Sequence, residues 1–134
     1  MKVTGLDGRH YNWNPKTNNG KRSKLHEKAK QLLNQCFPYD RILEEVSLPG
    51  TKNTTRSGTL RADFFIPNRN LVVEVHGQQH FKFNKFHFKD KLSFFRAQAR
   101  DRDKLEWCRL NEFIIVVLNY DEKEDEWKKK ITGN

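Results

Sequence analysis

Between Arg61 and His80 the chain sets two acids and two histidines, Asp63, Glu74, His76 and His80, among residues that otherwise favour strands. An unpaired carboxylate is costly to bury, so two of them converging beside a histidine imply a cation or a reaction. Phosphodiester hydrolysis suits the set, because it needs positive charge against the phosphate, a polarised water and a group that passes protons. Magnesium prefers oxygen ligands and keeps several waters, so Asp63, Glu74 and the backbone carbonyl of Val75 are the expected ligands of one Mg²⁺, with Mn²⁺ as its substitute. His76 or His80 would activate the water, since imidazole titrates near neutral pH.

The elements that must position these groups follow from patterning. Phe64 to Ile66 and Leu71 to Val75 are aromatic or β-branched runs separated by Pro-Asn-Arg-Asn, which predicts strands near 59–66 and 70–76. Side chains alternate along a strand, so Glu74 and His76 point the same way. An earlier strand is expected over Arg41 to Leu48, ending at Pro49-Gly50 and followed by a loop over Thr51 to Ser57. Ser23 should cap a helix running to about Cys36, because Leu25, Ala29, Leu32, Leu33 and Cys36 share one helical face. A long helix is predicted from about Leu92 to Leu110, then a buried strand over Phe113 to Leu118 and a short charged helix near the end anchored by Trp127. The first twenty residues read as a hairpin around Asp7-Gly8. In the long helix Phe94, Ala97, Asp101, Leu105 and Cys108 recur at three- and four-residue spacing, which puts Asp101 in an apolar stripe where it needs a partner. An arginine such as Arg61 or Arg102 is the plain choice.

Composition bounds the rest. A chain of 134 residues is one domain, and its net charge of +9 points to a polyanionic partner, DNA foremost. Lys52, Arg56 and Arg61, then Lys82 and Lys85, then Arg100 and Arg102 are expected at the phosphates, giving affinity with little sequence information. No zinc finger or helix-turn-helix is recognisable, so reading a long site calls for a homodimer or a separate recognition module. There is no membrane-length apolar run and no signal-peptide core, which predicts a soluble, cytoplasmic protein. Cys36 and Cys108 read as small core residues of a reducing compartment.

Leu60-Arg61-Ala62-Asp63-Phe64-Phe65, then Leu71 to His80, then Arg100-Asp101-Arg102-Asp103-Lys104-Leu105, then Phe113 to Leu118 together resemble the PD-(D/E)XK nuclease superfamily. The resemblance is to the branch that holds very-short-patch mismatch-repair endonucleases and the phage homing endonucleases with the signature EDxHD, and it covers most of the chain after Ser23. It implies an α/β fold with an αβββαβ restriction-endonuclease-like core, a central mixed sheet flanked by helices, over residues 21–134, with residues 1–20 as an appended hairpin. It implies a metal-dependent endodeoxyribonuclease of repair, recombination or a mobile element. Asp63 would be the central metal-binding aspartate, and Glu74 with Val75 the acid and neighbouring carbonyl. His76 stands where most of the superfamily has lysine, His80 resembles the general-base histidine, and Asp101 resembles the aspartate that orients a histidine. For the acid of the opening helix, counting back from Leu32-Leu33 reaches His26, with Glu27 next to it. Residue type favours Glu27, and the helical wheel favours His26.

Plainer readings stand beside these. His26 alone would be a surface helix residue, and Glu44-Glu45 ordinary strand-edge charge, with Glu45 a third acid near the site. The lysines and phenylalanines of 80–91 would be partly core, with lysine stems over apolar surface. Zinc on His80, His87 and Cys108 lacks the usual cysteines. Two other functions share the basic charge: a non-catalytic nucleic-acid-binding module of the same fold, and a structure-specific junction resolvase.

Overall fold

A computed structural model describes residues 1–53, 56–77 and 91–133. The chain runs β1 (Lys2–Thr4), β2 (His10–Asn12), α1 (Lys24–Cys36), β3 (Leu43–Leu48), β4 (Leu60–Ile66), a 3₁₀ turn (Pro67–Arg69), β5 (Leu71–His76), α2 (Lys91–Leu110), β6 (Ile114–Asn119) and α3 (Glu124–Thr132). Predicted elements and observed ones differ by a residue or two at their ends. Ser23 caps α1 as its spacing requires, its Oγ accepting the backbone N–H of His26 at 3.1 Å.

The main sheet has the order β3-β4-β5-β6, with β3, β4 and β5 antiparallel and β6 parallel to β5. It is a mixed sheet between two layers. Leu71 and Val73 of β5 pack with Ala29, Leu32 and Leu33 of α1 and with Trp127 and Ile131 of α3. Val72, one residue out of phase, packs with Trp107 and Cys108 of α2 and with Trp13. Both cysteines are free, and Cys108 lies buried in this second layer.

The alternation slips where the acids are. Leu43 and Val46, an odd number of residues apart, both belong to the α2 layer, and so do Ala62 and Phe65. Glu45, inside the first of these intervals, takes a left-handed backbone with φ 52. Pairing of Glu44 with Phe64 and of Val46 with Ala62 sets Glu45 opposite Asp63. On the other side the β4–β5 ladder runs only to the Phe64–Val73 pair, and the next rung would be Asp63 with Glu74. Three carboxylates therefore cross three adjacent strands in a row.

The hairpin of β1 and β2 forms a separate two-stranded sheet fixed to the turn after β3. Leu6 donates its N–H to the Gly50 carbonyl at 2.8 Å. The backbones meet so closely that a Cβ on Gly5 would stand 2.6 Å from the Gly50 α-carbon. Among the described residues no helix is long and apolar enough to cross a membrane.

Candidate active site

At the Asp63–Glu74 rung, side chains take over from the ladder. The Asp63 N–H donates to Glu74 Oε2 at 2.8 Å, and the Val75 N–H donates to Asp63 Oδ2 at 2.8 Å. Two carboxylates held against strand backbone in this way keep a fixed separation without a full sheet hydrogen bond between them. Glu74 is 2% exposed, and its charge is met from α2, where Lys104 Nζ lies 2.7 Å from Oε1. Burial pulls the Lys104 ammonium down, but the charges of Glu74 and Asp63 outweigh it and hold it above the ordinary lysine value. Burial, and then the neighbouring Glu74, push the Asp63 carboxyl up to about 8, against the opposing pull of Lys104 and the Val75 N–H.

The sequence stripe on α2 placed Leu105 inward, and the structure corrects this. Leu105 is 46% exposed, whereas Lys104 turns in towards the sheet. A buried glutamate requires a cation more than the helix requires another leucine, and Lys104 is three residues from Asp101, on the same side of the helix. That spacing, read against the need of Glu74 for a counter-charge, was the signal available in the sequence.

Asp101 belongs beside the histidine. Its Oδ1 is 3.9 Å from His76 Nε2, and Glu74, His76 and Asp101 each offer a ligand atom within 4.8 Å of the others. Arg61, the plain partner considered for Asp101, instead donates to the Asn19 carbonyl at 3.0 Å.

A second group lies on the α1 side of Asp63. His26, Glu45 and Asp63 also bring ligand atoms within 4.8 Å of one another. Of the two α1 residues, His26 is 4% exposed and stacks on Phe64 with ring centroids 4.3 Å apart, whereas Glu27 is exposed. His26 is thus no surface residue. Its Nε2 is 3.0 Å from Glu44 Oε1, and Glu44 is also bound by Arg22 at 2.8 Å and Lys30 at 3.2 Å. Burial works against the Glu44 charge, but Arg22, His26 and Lys30 outweigh it and bring its pKa down to about 2. Glu44 is therefore a buried anchor, where residue type suggested strand-edge charge.

The remaining expected residues are spread more widely. His80, Lys82 and Lys85 lie outside the described residues, as does His87. Lys52, Arg61, Arg100 and Arg102 are exposed. Arg56 is drawn back into structure, donating to the Thr51 carbonyl at 2.8 Å and pairing with Asp103. It still lines a shallow hollow with Arg96 and Arg100 on α2.

The arrangement can hold a divalent cation on carboxylates and can hold an imidazole beside a carboxylate that orients it. No protein-family model matches the chain, and no solved structure matches it. Two viral proteins are similar to it in part. Over 69 residues, 52% of this chain, it is 32% identical to "Uncharacterized protein 033L" of Invertebrate iridescent virus 3. Over 76 residues, 57% of this chain, it is 32% identical to "Uncharacterized protein 307L" of Invertebrate iridescent virus 6. The matched stretch spans 36% and 39% of the length of these curated relatives.

Proposed function

We propose that the protein is a metal-dependent endodeoxyribonuclease with a PD-(D/E)XK, restriction-endonuclease-like core. One observation carries the reading: Asp63 and Glu74 sit side by side on adjacent strands, with His76 and Asp101 at the edge of the same cluster. The sheet order and the flanking helices agree with it, and the charge of +9 supplies the attraction for DNA.

The donor chemistry fits a hard cation, since Asp63 and Glu74 offer carboxylate oxygens and Val75 a carbonyl next to them. Bound there, such an ion would neutralise charge on the scissile phosphate and lower the pKa of an attacking water. The chain's own residues do the rest. Lys104 holds the Glu74 side chain in place through Oε1, so that the acid stays positioned as a ligand. Asp101 orients the His76 ring, and His76 accepts the proton of the water. Arg96, Arg100 and Arg102 lie on α2 to hold backbone phosphates.

Plasmid DNA incubated with the protein and Mg²⁺ should be nicked or linearised. Asp63→Ala should abolish this while DNA retention on a filter persists. Equal cleavage by both proteins would sink the assignment. Wild-type protein that retains DNA but leaves linear, mismatched and four-way-junction substrates intact with Mg²⁺ or Mn²⁺ would point to a non-catalytic module.

A further inference from the structure

We propose that His26, Glu45 and Asp63 form a divalent-cation site of their own, beside the Glu74–His76–Asp101 cluster, that selects first-row transition cations such as Mn²⁺ and Zn²⁺ over Mg²⁺. It rests on the reading of Asp63 as a metal ligand and needs nothing else of the nuclease assignment.

The charge balance of the carboxylate row is the first ground. Lys104 is committed to Glu74 at the far end. Glu45 and Asp63 face each other across β3 and β4, and among the described residues neither has an ion pair. Two carboxylates directly opposite on a sheet are destabilising when both are ionised, and a cation between them removes that cost.

Geometry is the second ground. Ligands bound at about 2.0–2.2 Å from an ion lie at most about 4.4 Å apart. The three ligand atoms already lie within 4.8 Å of one another, a gap that small side-chain rotations close. Asp63 Oδ2 accepts the Val75 N–H, which leaves Oδ1 for an ion.

The histidine is the third. Metal-binding imidazoles commonly give their other ring nitrogen to a carboxylate, which fixes the tautomer and orients the ring. His26 has that partner in Glu44, 3.0 Å from Nε2, and Glu44 is itself fastened by Arg22 and Lys30. Nδ1 is then the nitrogen for the ion. Stacking on Phe64 and burial at 4% exposure hold the ring in place.

Glu45 supplies the fourth. Its φ of 52 is a conformation a glutamate adopts at a cost, and such strain concentrates at functional sites. Asn18 sustains it, its side-chain amide donating to the Glu45 carbonyl at 2.8 Å and its N–H to the Glu44 carbonyl at 3.0 Å. An imidazole with two carboxylates suits Mn²⁺, Co²⁺ or Zn²⁺, whereas Mg²⁺ demands oxygen ligands in near-ideal octahedral geometry.

The full chain should be titrated with Mn²⁺ and followed by electron paramagnetic resonance, with Mg²⁺ in hundredfold excess and Zn²⁺ as competitor. The proposal expects one Mn²⁺ that survives the Mg²⁺, yields to Zn²⁺, and shows in pulsed spectra the coupling of a directly bound nitrogen. Occupancy and coupling should survive Glu74→Gln. They should be lost in His26→Gln, and Glu45→Gln should weaken binding at least tenfold. Glu45 is partly exposed, so the second variant guards against a folding defect in the first, and circular dichroism checks both. Displacement by Mg²⁺, absence of nitrogen coupling, or binding unchanged in both variants overturns the proposal. Bound Mn²⁺ without DNA cleavage would leave this site standing and remove the nuclease reading alone.

Discussion

Lys104 on α2 and Glu74 on β5 form a buried ion pair, 2.7 Å between Nζ and Oε1, that ties the long helix to one end of the carboxylate row. Removing one partner of such a pair strands the other charge. Lys104→Met should therefore destabilise the protein by about 3–5 kcal/mol in urea unfolding, and adding Glu74→Gln should restore most of the loss. A double variant as unstable as the sum of the two singles would show that the pair is not coupled.

Asp63 makes stability fall with rising pH. Its carboxyl is pushed from 3.8 in the unfolded chain to about 8 in the folded one, so between these values the folded state holds a proton the unfolded state has lost. The loss begins near the lower value and is complete above the upper. Asp63→Asn removes it, and with chelator present the variant should exceed wild type by about 1–3 kcal/mol at pH 8.5 while matching it below pH 3.8. A parallel pH dependence for the two proteins would contradict this origin.

Glu44 acts in the opposite sense. Its pKa is depressed from 4.5 to about 2, so its contribution is present above the upper value and disappears as pH falls through the lower one. Glu44→Gln should cost about 1–3 kcal/mol at pH 7 and flatten the acid limb of the stability curve. Acid titration of the unfolding midpoint measures both.

His76 and Asp101 should fail together. In the plasmid assay His76→Ala is expected to lower the cleavage rate by about 10²–10⁴-fold, and Asp101→Asn by less. If the aspartate works through the imidazole, the double variant will be no slower than His76→Ala. Multiplying losses would separate their roles.

Arg96 and Arg100 flank one hollow on α2. Converting both to alanine should weaken DNA retention on all sequences alike and reduce the slope of log affinity against log salt by about 2. An unchanged slope would move the DNA path away from this helix.

Much of the scaffold was legible in the sequence because it is local. Ser23 names the start of α1, the Pro67–Asn70 turn separates two apolar runs, and period two along Leu71 to His76 gives the shared side of Glu74 and His76. The helical face that carries His26 and not Glu27 is equally local, and the burial pattern of α1 agrees with it. Lys104 was not legible that way. Its inward position depends on Glu74, thirty residues earlier, and no helical periodicity encodes that demand. Glu44 and Glu45 were ambiguous for a related reason. Adjacent strand residues should point to opposite faces, but the left-handed turn at Glu45 breaks the rule, and only the fold shows one acid under His26 and the next beside Asp63.

Because β5 and β6 are parallel, the chain that joins them must cross back to the end of the sheet at which β5 began, and α2 lies on that return. During synthesis Glu45, Asp63 and Glu74 emerge first, Asp101 and Lys104 later, and β6, the strand beside β5, after them. A nascent or prematurely released chain ending before residue 101 carries the acids without their counter-charge and the histidine without its aspartate. The direction of translation thus leaves the cluster incomplete until α2 has been made.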